Sequence, residues 1–400
     1  MMRDTSPPAA KLAPALAPSL VWLFATAAGL CVANVYYAQP LLATLAHEFG
    51  MTDAGSGMVI TATQIGCALA LLLVVPLGDM LNRRRLTLVQ LVLLGASLAA
   101  LACATSTASL LAGMLLAGLL GTAMTQGLIA YAASVAPRHE RGRVVGTAQG
   151  GVVIGLLLAR TLSGVVTDLA GWRAVYLLSA VLSLALLLLL WRMLPPPVAP
   201  ARKLSYGALL APMFDLLKTN RVLQVRGVLA LLLFAAFSIF WSALVFPLSA
   251  QGYSHAAIGA FGLVGVAGAL GAARAGALAD RGRAQWTTGA ALLLLLASWL
   301  PLSFAGSALW PLIVGIIALD LAGQAIHVTN QSLIFRDDSD AHSRLVACYM
   351  LFYAVGSGLG AIAATSTYAL AGWHGVCALG AAVSLLALLF WRLTLPVEKP

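Results

Sequence analysis

Charge is scarce in this sequence. Asp, Glu, Lys and Arg together make up 9% of its 400 residues, against about 25% in ordinary globular proteins. Apolar residues fill 61% of the chain instead, more than a soluble core could hide, because a single core stops growing well below this size. Lipid must be the solvent. Cysteine patterning is missing as well. Cys31, Cys67, Cys103, Cys348 and Cys377 all lie in apolar stretches, with no CxxC pair and no clustered histidines. That excludes a disulfide framework and a zinc site and leaves structural thiols. No GxxxxGK[S/T] loop is present, so ATP hydrolysis has no visible machinery. No cofactor is indicated. The start of the chain does not read as a cleavable signal, because a Pro/Ala-rich tail with Arg3 and Lys11 precedes a segment long enough to span.

What is present is one apolar run after another. A spanning helix needs about 20 apolar residues, and turn and charge signals divide the chain into twelve such segments. They fall near 20–43, 56–78, 86–105, 108–134, 144–168, 173–193, 224–249, 256–278, 286–305, 308–333, 345–368 and 374–395. The organisation that follows is a cytoplasmic tail (1–19), a six-helix half (20–193), a cytoplasmic linker with Pro195-Pro196-Pro197 (194–223), a second six-helix half (224–395) and a short cytoplasmic tail (396–400). With the first residue inside, all but Arg160 and Arg173 of the 23 Lys/Arg fall on the cytoplasmic side, as basic residues do in membrane proteins. The net charge of +10 therefore reads as topology, not as nucleic-acid binding. Both termini are expected in the cytoplasm, at an inner (plasma) membrane.

The two halves repeat each other. Leu169-Ala170-Gly171-Trp172 returns as Leu370-Ala371-Gly372-Trp373, and Trp191-Arg192 as Trp391-Arg392. Asp79 answers to Asp280, and Arg143 to Arg344, each 201 residues on. An even number of spans per repeat gives both halves the same orientation, an arrangement that places a substrate path at the interface between them.

At this point the chain resembles the major facilitator superfamily, over essentially its whole length after the tail. The family's loop between spans two and three reads roughly G-x-L-A-D-R-x-G-R-R. Here it is Val75-Pro76-Leu77-Gly78-Asp79-Met80-Leu81-Asn82-Arg83-Arg84-Arg85, with Val75 and Asn82 in place of the glycines. Asn tolerates a left-handed turn better than most residues, so the turn is expected to survive. The second half carries Gly276-Ala277-Leu278-Ala279-Asp280-Arg281-Gly282-Arg283. Span five, with Gly155, Arg160, Gly164 and Gly171-Trp172-Arg173, is similar to the drug:proton antiporter-type branch, which includes sugar and drug efflux permeases. The resemblance implies an all-α membrane protein of twelve transmembrane helices in two parallel six-helix repeats. It further implies that spans one, four, seven and ten line a central cavity, and that Asp79, Arg83, Arg84, Asp280 and Arg281 gate the inner face. The bland alternative for the two aspartates is a solvated loop charge.

Ionisable groups inside spans are expensive and are candidate functional sites. Asp320 is the one acid placed at mid-membrane depth. Gln324, His327 and Gln331 follow it on one helical face. Arg160 is the second candidate, because arginine does not deprotonate and needs an anion, carbonyls or water within the bundle. It reads as a partner of a substrate carboxylate, as a coupling residue, or as packing. Gln149 lies on its face. Asn34, Tyr36, Tyr37 and Gln39 precede Pro40 in span one, Gln126 sits in span four, and Phe237, Phe240 and Trp241 offer an apolar wall in span seven. Gly356-x-x-x-Gly360 reads as close helix contact.

The function expected is secondary active transport of a small organic molecule by a monomer, as proton-coupled efflux. A nutrient importer or uniporter of the same fold is the alternative. A membrane-embedded enzyme or receptor-like scaffold fits less well, since an enzyme would need a clustered set of carboxylates or metal ligands.

Overall fold

Long runs of Leu, Ala and Val form helices whose backbone groups are satisfied within the segment, the condition for crossing lipid. A computed structural model describes residues 16–137, 139–195, 205–305, 308–334 and 342–395 of the chain, and those residues are helical with no strand. In chain order the helices are α1 (Pro18–Ala33), α2 (Leu42–Glu48), α3 (Asp53–Leu69), α4 (Arg83–Ala102), α5 (Thr107–Val135), α6 (Arg141–Ala170), α7 (Trp172–Met193) and α8 (Tyr206–Thr219). Then come α9 (Arg221–Ala243), α10 (Val245–Ala250), α11 (His255–Ala260), α12 (Val266–Leu278), α13 (Ala284–Leu302), α14 (Leu309–Ile334) and α15 (His342–Thr394). Short polar joints start them: Thr52, Ser106, Asn220 and Ser254 each accept a hydrogen bond from the first turn of the helix they precede. Most of the N-terminal tail, the middle of the linker and the C-terminal tail lie outside the described residues.

Among the described residues nine helices are long and apolar enough to cross a membrane. Several expected spans differ from a straight helix, the second ending in a π turn and a 3-10 turn over Ala70–Asp79. Pro40 has no N–H to give the Tyr36 carbonyl, which accepts from Gln39 N instead (3.3 Å), so the first segment breaks after Ala33 into turns and a 3-10 piece (Gln39–Leu41). The eighth is broken by a 3-10 turn at Phe261–Gly265, in a run with a glycine every third residue. The last two run together as α15, bent at Gly372 by a left-handed φ of 61°. Gly171, its counterpart in the first half, has φ 80°. The repeat extends to contacts: Arg84 Nη2 donates to the Trp191 carbonyl, and Trp391 Nε1 donates to Gln285, which stands where Arg84 does.

Leu169, Val181, Leu184, Leu370 and Leu393 are among many large apolar side chains left exposed on the outside of the bundle. Such a surface belongs in lipid. Inside each half, backbones touch. Added Cβ atoms at Gly151 and Gly155 would collide with α1, and at Gly356 and Gly360 with α9, so the Gly356–Gly360 spacing serves close packing. The arginine clusters at Arg83–Arg85, Arg192 and Arg392 share one end of the bundle, the basic end. Reporters fused at both termini and within 194–223 are expected to give cytoplasmic signals; an external signal from any of them contradicts that orientation.

Candidate functional site

Two buried charges, one from each half, meet at their interface. Arg160, on α6, and Asp320, on α14, are each 5% exposed. Both rest on the glycine-rich turn after α11. A Cβ on Gly262 would lie 3.3 Å from Arg160 Cδ, and one on Gly265 would lie 2.7 Å from Asp320 Oδ2. A side chain at Gly265 would have to displace the carboxylate, and one at Gly262 would press on the Arg160 stem. The turn therefore seats the stem of Arg160 and the carboxylate of Asp320 three residues apart on one face, yet the two charged groups form no ion pair within 4.0 Å.

Arg160 makes one side-chain hydrogen bond and two ring contacts. Its Nε donates to Gln39 Oε1 (2.5 Å), and its guanidinium lies 4.1 Å from the centroid of the Trp241 ring and 5.4 Å from that of Tyr36. Such cation–π contacts are worth about 2 kcal/mol when desolvated. The Tyr36 hydroxyl shares a 2.5 Å hydrogen bond with that of Tyr353, on α15 of the other half. Gln39, Pro40, Arg160, Trp241, Leu244, Val245 and Ile258 enclose a small cavity. The Trp241 Nε1 donor is buried without a partner.

The other candidates lie further off. Gln324 and Gln126 are half-buried. His327 bonds through Nδ1 to the Tyr349 hydroxyl (3.0 Å) and packs edge-on against Phe234. Asn34 is turned into the first half, donating to the Leu30 carbonyl and accepting from Ser179 Oγ (2.7 Å), and Tyr37 packs against Tyr176. Neither reaches Arg160. Phe240 packs edge-on against Trp241 and joins it to an aromatic cluster with Trp299 and Trp373. Trp241 is a cation platform as well as a wall, and Tyr353 and Gly265 carry no charge that would have singled them out in sequence.

At the basic end Asp79 pairs with Arg83 (2.7 Å), the aspartate being 57% exposed. A pair so exposed contributes little by itself. Asn82 does not take a left-handed turn. With φ −60° it instead caps α4, accepting from Arg85 N (3.2 Å), because its side chain supplies the acceptor that the helix start lacks. Arg281 is exposed, and the side chain of Asp280 lies outside the described residues.

The opposite end is sealed between the halves. Asp168, in the last turn of α6, accepts from the backbone N–H groups of His255 (3.1 Å) and Ala256 (2.8 Å) and from His255 Nδ1 (2.7 Å). His255 Nε2 bonds to Thr44 Oγ1 (2.7 Å), and Thr161 donates to the Gly259 carbonyl (3.0 Å). One carboxylate thus caps a helix of the other half. Sequence reading passed over this latch, since a span-end aspartate and a loop histidine are individually ordinary. Beside it, in the first half, Glu48 binds Trp172 Nε1 (2.5 Å) and Arg173. Partial burial pushes the Glu48 carboxyl up, but these donors and the guanidinium charge outweigh it and hold it below its ordinary range. Towards the basic end, by contrast, Gln149 of α6 is exposed and Gly142, Gly146 and Gly150 have open space beside them. The halves are latched at one end, and the stretch of α6 nearer the other end has open space beside it. Asp168→Asn, which keeps the shape but removes the charge, is expected to raise labelling of single cysteines at the sealed end about tenfold, because a charge-assisted bond contributes about 1.5–3 kcal/mol. Unchanged labelling would show the latch to be incidental.

Residues 23–344 match the family model described as Major Facilitator Superfamily. The chain is 43% identical over 378 residues to the uncharacterized transporter YgaY of Escherichia coli O157:H7, covering 94% of this chain and 95% of that one. Among solved structures it superposes with a TM-score of 0.76 at 14% identity on a bacterial homolog of the human lysosomal transporter Spinster, in an inward-facing and occupied conformation, covering 96% and 98% of the two chains. It superposes with a TM-score of 0.74 at 16% identity on a D-xylose-proton symporter, covering 95% and 98%.

Proposed function

The chain belongs to the Major Facilitator Superfamily, and from that premise we propose that it is a secondary active transporter moving a small organic molecule by alternating access, coupled to protons through Asp320. It is a multi-pass membrane transporter and not an enzyme. One observation carries the coupled reading. A carboxylate and a guanidinium, supplied by opposite halves, are buried on one turn without forming an ion pair. An unpaired buried carboxylate is costly when charged and relieved when protonated, so its proton occupancy biases one arrangement of the halves over the other.

Twelve spans, residues 20–193 and 224–395 as the moving halves, 194–223 as their cytoplasmic tether, and both termini inside a plasma membrane complete the reading. In it Asp79 and Arg83, with Asp280 and Arg281, steady the basic end when it closes, and Arg84 ties α4 to α7. Gln324, His327 and Gln126 border the path. Asn34 and Tyr37 support it from behind. Export against entering protons is the direction that the resemblance of span five implies. Uptake is the second reading, and the lone cation beside a lone anion favours it, because such a site binds a proton and an anionic cargo together. The test is a substrate-library stability screen on purified protein, followed by transport of the stabilising compounds in vesicles under imposed pH gradients. Gradient-driven accumulation is expected; rates indifferent to the gradient overturn the coupling.

A further inference from the structure

We infer that the cargo is a small organic monocarboxylate, bound by the Nη groups of Arg160 together with Trp241 Nε1 and carried in company with a proton on Asp320. The inference deepens the coupled-transporter reading and rests on it. Three observations lead there. Arg160 spends only its Nε, on Gln39, while its two Nη groups enter none of the hydrogen bonds among the described residues. Trp241 Nε1 is a second donor, buried and unpartnered, on the ring that covers the guanidinium. Both side chains line the same small cavity, whose remaining walls are Pro40, Leu244, Val245 and Ile258, with Gln39 already engaged. A buried donor left without an acceptor costs about 1–3 kcal/mol. Trp241 Nε1 is such a donor, and beside a permanent cation at one apolar-walled space it asks for an anionic acceptor with two oxygens and an apolar body. A carboxylate meets a guanidinium in that way. A cation would be repelled by Arg160, and a neutral amide would offer one oxygen and bring surplus donors.

Charge arithmetic then decides what travels with it. Around Asp320 the charged group is Arg160 on α6, with the neutral hydroxyls of Tyr36 and Tyr353 beyond it. The turn after α11 offers glycines, α9 offers Trp241 and Phe237, and α13 has no ionisable side chain along Ala284–Leu302. Arg274 of α12 is exposed, and His327 is turned to Tyr349. One fixed positive charge can thus offset one negative charge. Empty, the site is neutral with Asp320 ionised. Holding a carboxylate, it carries two anions against one cation unless Asp320 takes up a proton, and an uncompensated buried charge is expensive. The proton that enters forms the carboxylic acid O–H of Asp320 and leaves again when the cargo does. Proton and monoanion move together, with no net charge.

The experiment uses the full-length protein and a panel of small monocarboxylates, each paired with the primary amide and the amine of the same carbon skeleton. Melting-temperature shifts are expected from carboxylates alone. Trp241→Phe, which keeps the ring and removes the N–H, is expected to weaken the best carboxylate about tenfold, and Arg160→Gln to abolish its effect, with Arg160→Lys restoring part of it. In vesicles its uptake should follow an inward proton gradient and ignore an imposed potassium-diffusion potential. Stabilisation by amines, by amides or by no member of the panel overturns the inference, as does carboxylate binding undiminished in both Arg160→Gln and Trp241→Phe. A stabilising amine or amide whose transport still follows the pH gradient leaves the coupled-transporter reading standing and removes only the carboxylate. A carboxylate that binds through Arg160 and moves without regard to pH removes the coupling instead.

Discussion

Asp320→Asn is expected to abolish gradient-driven accumulation while leaving exchange without a gradient close to wild type. Asn matches the size of a protonated aspartate and cannot titrate, so the halves lose the event that ties their rearrangement to proton entry. A pH difference of two units is worth about 2.7 kcal/mol per proton, which sets the expected loss at roughly a hundredfold in the accumulation ratio. Binding survives in this account because the carboxylate that contacts Arg160 belongs to the cargo, not to Asp320. Counterflow exchange and pH-driven uptake measured on the same vesicles separate the two effects. Full pH-driven accumulation by the variant would exclude Asp320 as the coupling group, and loss of both activities would make it a direct ligand.

The second large effect concerns a glycine. Gly259→Ala is expected to force the sealed end open, although alanine is the better helix former. Its Cβ would run into the Arg160 carbonyl oxygen, with Arg160 C at 2.7 Å and Thr161 Cα at 3.0 Å. All of these neighbours are backbone of the opposite half, so no side-chain rotation relieves the clash. Overpacking of this kind costs about 1–3 kcal/mol, which shifts the ratio of open to sealed protein about tenfold or more. In a background without native cysteines, Val245→Cys reports on the enclosed space, and its labelling from the sealed side should rise by that factor. Labelling as slow as in the parent would mean that α6 and α11 do not form the seal.

Much of this architecture was legible in the sequence because lipid leaves little choice. Apolar length, arginine-marked ends and the repeat of Gly171-Trp172 in Gly372-Trp373 all follow from constraints that act along the chain. The departures came where backbone chemistry competes with hydropathy: at Pro40, in the glycine series Gly259, Gly262, Gly265 and Gly268, and at Gly372. Hydropathy counts these residues as neutral filler, yet they decide where α1 stops and where the last two segments bend. Arg160 and Asp320 stood out as charges in apolar surroundings. Their meeting did not, since 160 residues separate them and the surface that joins them is the glycine face of a turn. Trp241 read as an apolar wall because an indole shows its N–H only once its neighbours are known. Asp168 and His255 were overlooked for the same reason: each is ordinary at a span end, and only together do they close the interface.

The central claim is that a proton moves with the cargo by way of Asp320. Its most direct test is proton flux itself, read by a pH-sensitive dye trapped in vesicles that carry the purified protein with no gradient imposed. Adding the best-binding compound of the panel outside should acidify the interior at the rate at which the compound enters, in wild type but not in Asp320→Asn. Entry of the compound with no change in internal pH would contradict the account.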